Sequence, residues 1–135
     1  MKTKLTIIVL MLFELTSIKL QAQEDSPCYY FGYAYCPKTK VIYISNVVRH
    51  THHYNYNIHY SRQVEHQWED YVSTYLNEKG VVNSYSSYTY MGGNSDNKCF
   101  TYNETANLIK EVKKEYTEKG YKVKEIIDFR YNPED

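Results

Sequence analysis

The residues best equipped for chemistry lie close together. All five histidines fall between positions 50 and 66, and three of them form the run His50-Thr51-His52-His53. Imidazole is the commonest biological metal ligand and suits zinc, copper and nickel. In an extended segment His50 and His52 project to the same side. His66 and Asp70 lie one helical turn apart, on what reads as a helix. A zinc or copper site drawn from His50, His52, His53, His66 and Asp70 is therefore one reading of the chain. It requires the histidine run to fold over the start of that helix. The spacing matches no established metal motif, and a short histidine-rich tract supports only a compositional inference. Solvated loop histidines, with no cofactor, are the plainer expectation.

Cysteine is the second reactive type. Cys28, Cys36 and Cys99 allow three pairings and leave one thiol over. Cys28 and Cys36 bracket a single predicted strand, whose length keeps their side chains apart. Cys99 is thus expected to bond to one of them. A bridge over so long a loop stabilises by roughly 4 kcal/mol in the chain-entropy model. The remaining thiol is either buried or pairs between chains.

A catalytic reading finds little to hold. There is no GxSxG, HExxH or glycine-rich phosphate loop. A cysteine–histidine nucleophile pair lacks the local signatures of known cysteine hydrolases. The carboxylate pairs Glu69-Asp70 and Glu134-Asp135 fall on the polar face of a helix and in a polar tail. No catalytic residue is assigned, and a non-catalytic role is expected.

Tyrosine is the compositional outlier, with 17 against four Phe and one Trp. Its ring is apolar and its hydroxyl needs a partner or water. So many on a small domain cannot all be interior. Tyr30, Tyr33, Tyr35, Tyr43, Tyr88 and Tyr90 are the candidate ligand-binding set. With Ser and Asn, they supply contact area and adaptable hydrogen bonds, as in antibody paratopes, and such rings also stack on sugars. A protein or a cell-envelope glycan is the partner class this favours. Tyrosines used as core and sheet-edge residues are the bland alternative.

The N-terminus carries the pattern of an export signal. Lys2 and Lys4 precede the apolar run Leu5 to Phe13, and Leu20-Gln21-Ala22 offers a cleavage site. The run is short of the about 20 apolar residues of a membrane span. The expected organisation is a signal peptide over 1–22 and one exported domain over 23–135, secreted or periplasmic, with no membrane span after cleavage. Cleavage removes three lysines and one glutamate from a chain of zero formal charge, leaving it slightly acidic. A near-neutral chain does not draw in polyphosphate, so nucleic acid is not an expected partner.

The elements that must position these residues follow from periodicity. Cys28 to Tyr35 and Val41 to Val48 read as a hairpin about a turn at Pro37 to Lys40. Arg49 to Ser61 alternates like a strand but is polar enough for an ordered loop. Val64, Trp68, Tyr71, Val72, Tyr75 and Leu76 form one helical face, with Ser61 as N-cap and Gly80 at the C′ position. A Ser/Tyr-rich strand over Val81 to Met91, a turn at Gly92 to Asn97 and a short strand from Lys98 follow. A second helix is capped by Asn103, carries Leu108, Ile109, Val112 and Tyr116 on its apolar stripe, and ends at Gly120. A last strand alternates from Val123 to Tyr131. The order β-β-α-β(β)-α-β predicts an α+β, two-layer sandwich, with a mainly antiparallel sheet and both helices on one face.

Overall fold

The computed structural model describes residues 25–81, 85–90 and 99–134. The proposed signal peptide and the Gly92 to Asn97 turn lie outside them. The fold is α+β. In chain order it comprises β1 (Ser26–Cys36), β2 (Val41–Ser45), β3 (Val48–His52), a 3₁₀ turn (Tyr54–Tyr56), α1 (Asn57–Glu78), β4 (Ser86–Tyr90), α2 (Tyr102–Glu118) and β5 (Lys122–Ile126). Among the described residues, no helix is long and apolar enough to cross a membrane.

The sheet is built around β1. It pairs antiparallel with β2 through Tyr33↔Ile44, with β3 through Tyr30↔Val48, and with β4 through Tyr33↔Tyr88. β5 joins β2 in parallel. Between the first two of these pairings the β2–β3 side holds one residue more than β1, the offset of a bulge. Ser45 fills the gap: its Oγ accepts the Gly32 N–H at 2.8 Å. Val41 to Val48 is therefore two strands, and pairing continues through His52.

The expected placement of both helices on one face is overturned: they cover opposite faces. Cys28, Tyr30, Ala34, Cys36 and Tyr43 pack with Val64, Trp68, Val72 and Leu76 of α1. Phe31, Ile42 and Ile44 pack with Val112 and Tyr116 of α2. β1 and β2 are apolar on both sides of the pleat, so each side needs a cover. The architecture is three layers rather than two.

Three element boundaries also differ from expectation. α1 begins at Asn57, a full turn before Ser61, because Asn57 and Ser61 both turn inward and are buried. Cys99 to Thr101 is not a strand; it leads into α2, whose N-cap is Thr101 and not Asn103. β5 ends at Ile126. The two helix endings do share one stop. Gly80 and Gly120 have φ of 74° and 83°. In each, the next residue's N–H reaches back to Leu76 O or Tyr116 O at 2.9 Å.

The segment after β5 is held by three carboxamide side chains. Asn46 accepts Phe129 N–H at 3.1 Å and donates to Phe129 O at 3.0 Å. Gln67 makes the same pair with Asn132, at 2.9 and 2.6 Å. Gln63 makes it with Glu134, at 3.0 and 2.8 Å. Each amide satisfies one backbone donor and one acceptor, as a neighbouring strand would. Phe129 itself is buried, edge-on to Trp68.

Candidate functional site

Two places on the α1 side bring functional groups together. The first is a groove along the helix. Trp68, Tyr71 and Tyr75 follow one another at i, i+3 and i+7, so their rings rise along one stripe. Trp68 and Tyr71 stand 18° from parallel, and Tyr71 and Tyr75 stand 17° from parallel, with centroids 6.1 Å apart in each pair. Trp68 is fully buried, while Tyr71 and Tyr75 are half-buried. Beyond the rings lies an open groove of about 570 Å³, lined by Asp70, Tyr71, Thr74, Tyr75, Glu78 and Asp128. Its three carboxylates are exposed. Tyr71 donates to Asp128 Oδ1 at 2.5 Å. Burial, and then the Asp128 carboxylate, push the Tyr71 hydroxyl's pKa well up, so it stays a donor at neutral pH. Lys79 Nζ stands over the Tyr75 ring, 4.7 Å from its centroid. Two half-buried tyrosines beside several hydrogen-bond acceptors are suited to a ligand with apolar C–H groups and a fringe of hydroxyls.

The second place is a buried polar cluster. Tyr30 of β1, His52 of β3, and Asn57 and Ser61 of α1 are all buried. The Tyr30 hydroxyl lies 2.8 Å from His52 Nε2 and 3.1 Å from Asn57 Oδ1. His52 Nδ1 faces the His53 carbonyl at 2.9 Å, which makes Nδ1 the donor and leaves Nε2 to accept when the ring is neutral. Ser61 donates to Asn57 Oδ1 at 3.4 Å. Burial raises the Tyr30 pKa to about 12. Beside the cluster, Cys28 and Cys99 form a disulfide with a Cα–Cα distance of 5.0 Å. Cys36 is the remaining thiol. It is buried in the core, and burial raises its pKa against the opposing pull of Thr39, which makes it a poor nucleophile.

The structure distributes the sequence candidates unevenly. Tyr30 and Tyr43 are in the core, and Tyr33 and Tyr35 pack beneath α2 against Tyr116. Tyr88 and Tyr90 lie on β4; their side chains are outside the description. His50 and His52 stack at 5.4 Å, and Tyr60 packs on both at 4.3 and 4.7 Å. They form part of an aromatic cluster rather than a solvated loop. Burial and the neighbouring His52 lower the His50 pKa. His66 is exposed near Glu69, and Asp70 lines the groove. Among the described residues, one group of three metal-ligating side chains converges: Cys28, His52 and Cys99. Of the histidine-based set only His52 belongs to it.

Sequence reasoning placed Tyr71 and Tyr75 on an apolar stripe and did not see them as groove-lining residues. The signal was present. Carboxylates at Asp70 and Glu78 flank the two rings at helical spacing, and only the return of Asp128 from the far end of the chain closes the groove. No protein-family model, no curated protein and no solved structure matches this chain.

Proposed function

We propose that the chain is an exported, non-catalytic domain that binds cell-envelope glycan through the groove on α1. The observation that carries this reading is a groove lined by two half-buried tyrosines, Tyr71 and Tyr75, together with the carboxylates of Asp70, Glu78 and Asp128. A sugar offers an apolar C–H face to an aromatic ring and hydroxyls to carboxylates, which accept strongly because they are charged. Export is read from the N-terminal pattern. It is supported by the Cys28–Cys99 disulfide, a bond that persists in oxidising compartments. The depression at the bulge is a weaker candidate. It measures about 250 Å³, is lined largely by aliphatic side chains such as Ile44, Ile109 and Ile126, and is bridged by the Lys113–Glu125 ion pair.

The test is retention of the purified protein on insoluble envelope glycan, with calorimetry on soluble fragments of it. Wild type is expected to bind. Tyr75→Ala is expected to weaken binding by about tenfold, the scale of one lost ring contact, and Glu78→Gln to weaken it less. Far-UV circular dichroism of each variant checks that the helix is kept. Equal retention of wild type and Tyr75→Ala, or no retention of either, overturns the proposal.

A further inference from the structure

We propose that Cys28, Cys99 and His52 are a redox-gated site for a thiophilic divalent cation, zinc above all, closed while the sulfurs are bonded and opened by reduction. The two sulfurs and a ring nitrogen of His52 all lie within 4.8 Å of one another. They come from three separate parts of the chain: β1, β3 and the approach to α2. Cys28 and His52 are buried, at 0% and 4% exposure.

The histidine is prepared in the manner that metal ligands usually are. Its Nδ1–H is engaged by the His53 carbonyl at 2.9 Å. Such a bond fixes the tautomer and ring orientation of a ligating histidine. Nε2 is then the lone-pair nitrogen, and it faces inward to the Tyr30 hydroxyl. Asn57 Oδ1, a neutral oxygen, lies 3.6 Å from Cys99 Sγ. Two thiolates, one imidazole and one oxygen form a donor set zinc accepts in tetrahedral geometry, with ligand atoms roughly 3.5 Å apart. The freed sulfurs must separate and the imidazole must close in, both of which are side-chain movements.

The chemistry balances with one co-reactant. A dithiol reductant gives two electrons and two protons to the Cys28–Cys99 bond, becomes a disulfide itself, and leaves two thiols. A zinc ion then displaces both thiol protons and binds two thiolates and neutral His52. The bound ion joins the same segments that the disulfide joined, so the fold keeps a cross-link in either state. This proposal is independent of the glycan groove.

The protein is reduced with a phosphine under argon, desalted and titrated with Zn²⁺ against a chromophoric chelator. Co²⁺ serves as a spectroscopic probe. One zinc per reduced chain is expected, bound about a hundredfold more tightly than by the oxidised protein. The cobalt form should show thiolate-to-metal charge transfer and the intense visible bands of a tetrahedral ion. His52→Ala should weaken zinc binding by about tenfold or more, Cys28→Ser should abolish tight binding, and His50→Ala should bind as wild type. The proposal is overturned if reduction brings no gain in zinc affinity, or if tight binding survives Cys28→Ser. Circular dichroism covers loss of fold: a reduced chain that unfolds and is not refolded by zinc also overturns it.

Discussion

The two faces of the sheet are covered by different means. Under α2, Phe31, Ile42, Ile44, Val112 and Tyr116 form an apolar contact set, with Tyr33, Tyr35 and Tyr121 around it. Under α1 the packing is more exacting. The indole of Trp68 lies directly on Gly32, where an added Cβ would come within 2.4 Å of the ring. Beside it lie the Tyr30–His52–Asn57 cluster, the disulfide and the amide-clamped segment that ends β5's run. Apolar surfaces tolerate repacking when volume is kept. Buried polar groups do not, because each needs one particular partner. Among the described residues the α2 face carries fewer such groups, Thr105 Oγ1 on Tyr29 O being one, so it contributes burial with less specification. The α1 face fixes register, and it carries both candidate sites.

The largest expected effect breaks that contrast at its centre. Trp68→Ala should cost about 3–5 kcal/mol in urea unfolding, as large aromatic truncations in cores do. Val112→Ala on the other face should cost about 2 kcal/mol. Equal losses would mean the two faces are alike. Gly32→Ala sharpens the point. It adds one methyl where the indole already sits, and overpacking of this kind costs about 1–3 kcal/mol.

The middle effect concerns the polar cluster. Tyr30→Phe keeps the ring and removes the hydroxyl that faces His52 and Asn57. Leaving buried partners unsatisfied costs about 1–3 kcal/mol. pH gives a second readout. Tyr30 has its pKa raised from 10.0 to about 12 by burial. A group whose folded pKa is raised contributes stability that is whole below its unfolded pKa and lost as pH climbs to the folded one. Wild type should therefore weaken between pH 10 and 12, and Tyr30→Phe should weaken less steeply there. An unchanged slope would take Tyr30 out of the alkaline transition.

Much of the fold was legible because periodicity reports burial directly. The apolar stripe from Val64 to Leu76 gave α1, and two glycines after lysine gave both helix stops. The run Cys28 to Tyr35 was apolar on both sides of the pleat, which already asks for two covers. Reading it as one covered face and one open face produced the two-layer expectation, and with it the outward tyrosines. The groove and the cysteine–histidine group were harder to see, because each depends on long-range return. Asp128 meets Tyr71 across 57 residues, and Cys99 meets Cys28 across 71. Local spacing carries no trace of such meetings. The histidine run drew notice for its density, yet what matters at His52 is its register opposite Ser26 on β1 and the carbonyl of its neighbour.

The smallest expected effect tests how each cover is held at its start. α2 opens with a capping box: Thr101 Oγ1 accepts Glu104 N–H at 3.2 Å, and Glu104 Oε2 accepts Thr101 N–H at 2.7 Å. α1 opens from Tyr56 with no side-chain cap. The first helix thus depends on tertiary packing for its start, while the second carries its own local start signal. Thr101→Ala should cost about 1 kcal/mol, and Thr101→Ser should restore most of it. Cys99 lies two residues before this cap, so its loss should also speed reduction of the Cys28–Cys99 bond by a mild reductant. If Thr101→Ala lowers stability and leaves the reduction rate unchanged, the disulfide is held by the Tyr30–His52 side of the molecule alone, and the approach to α2 is not part of what positions it.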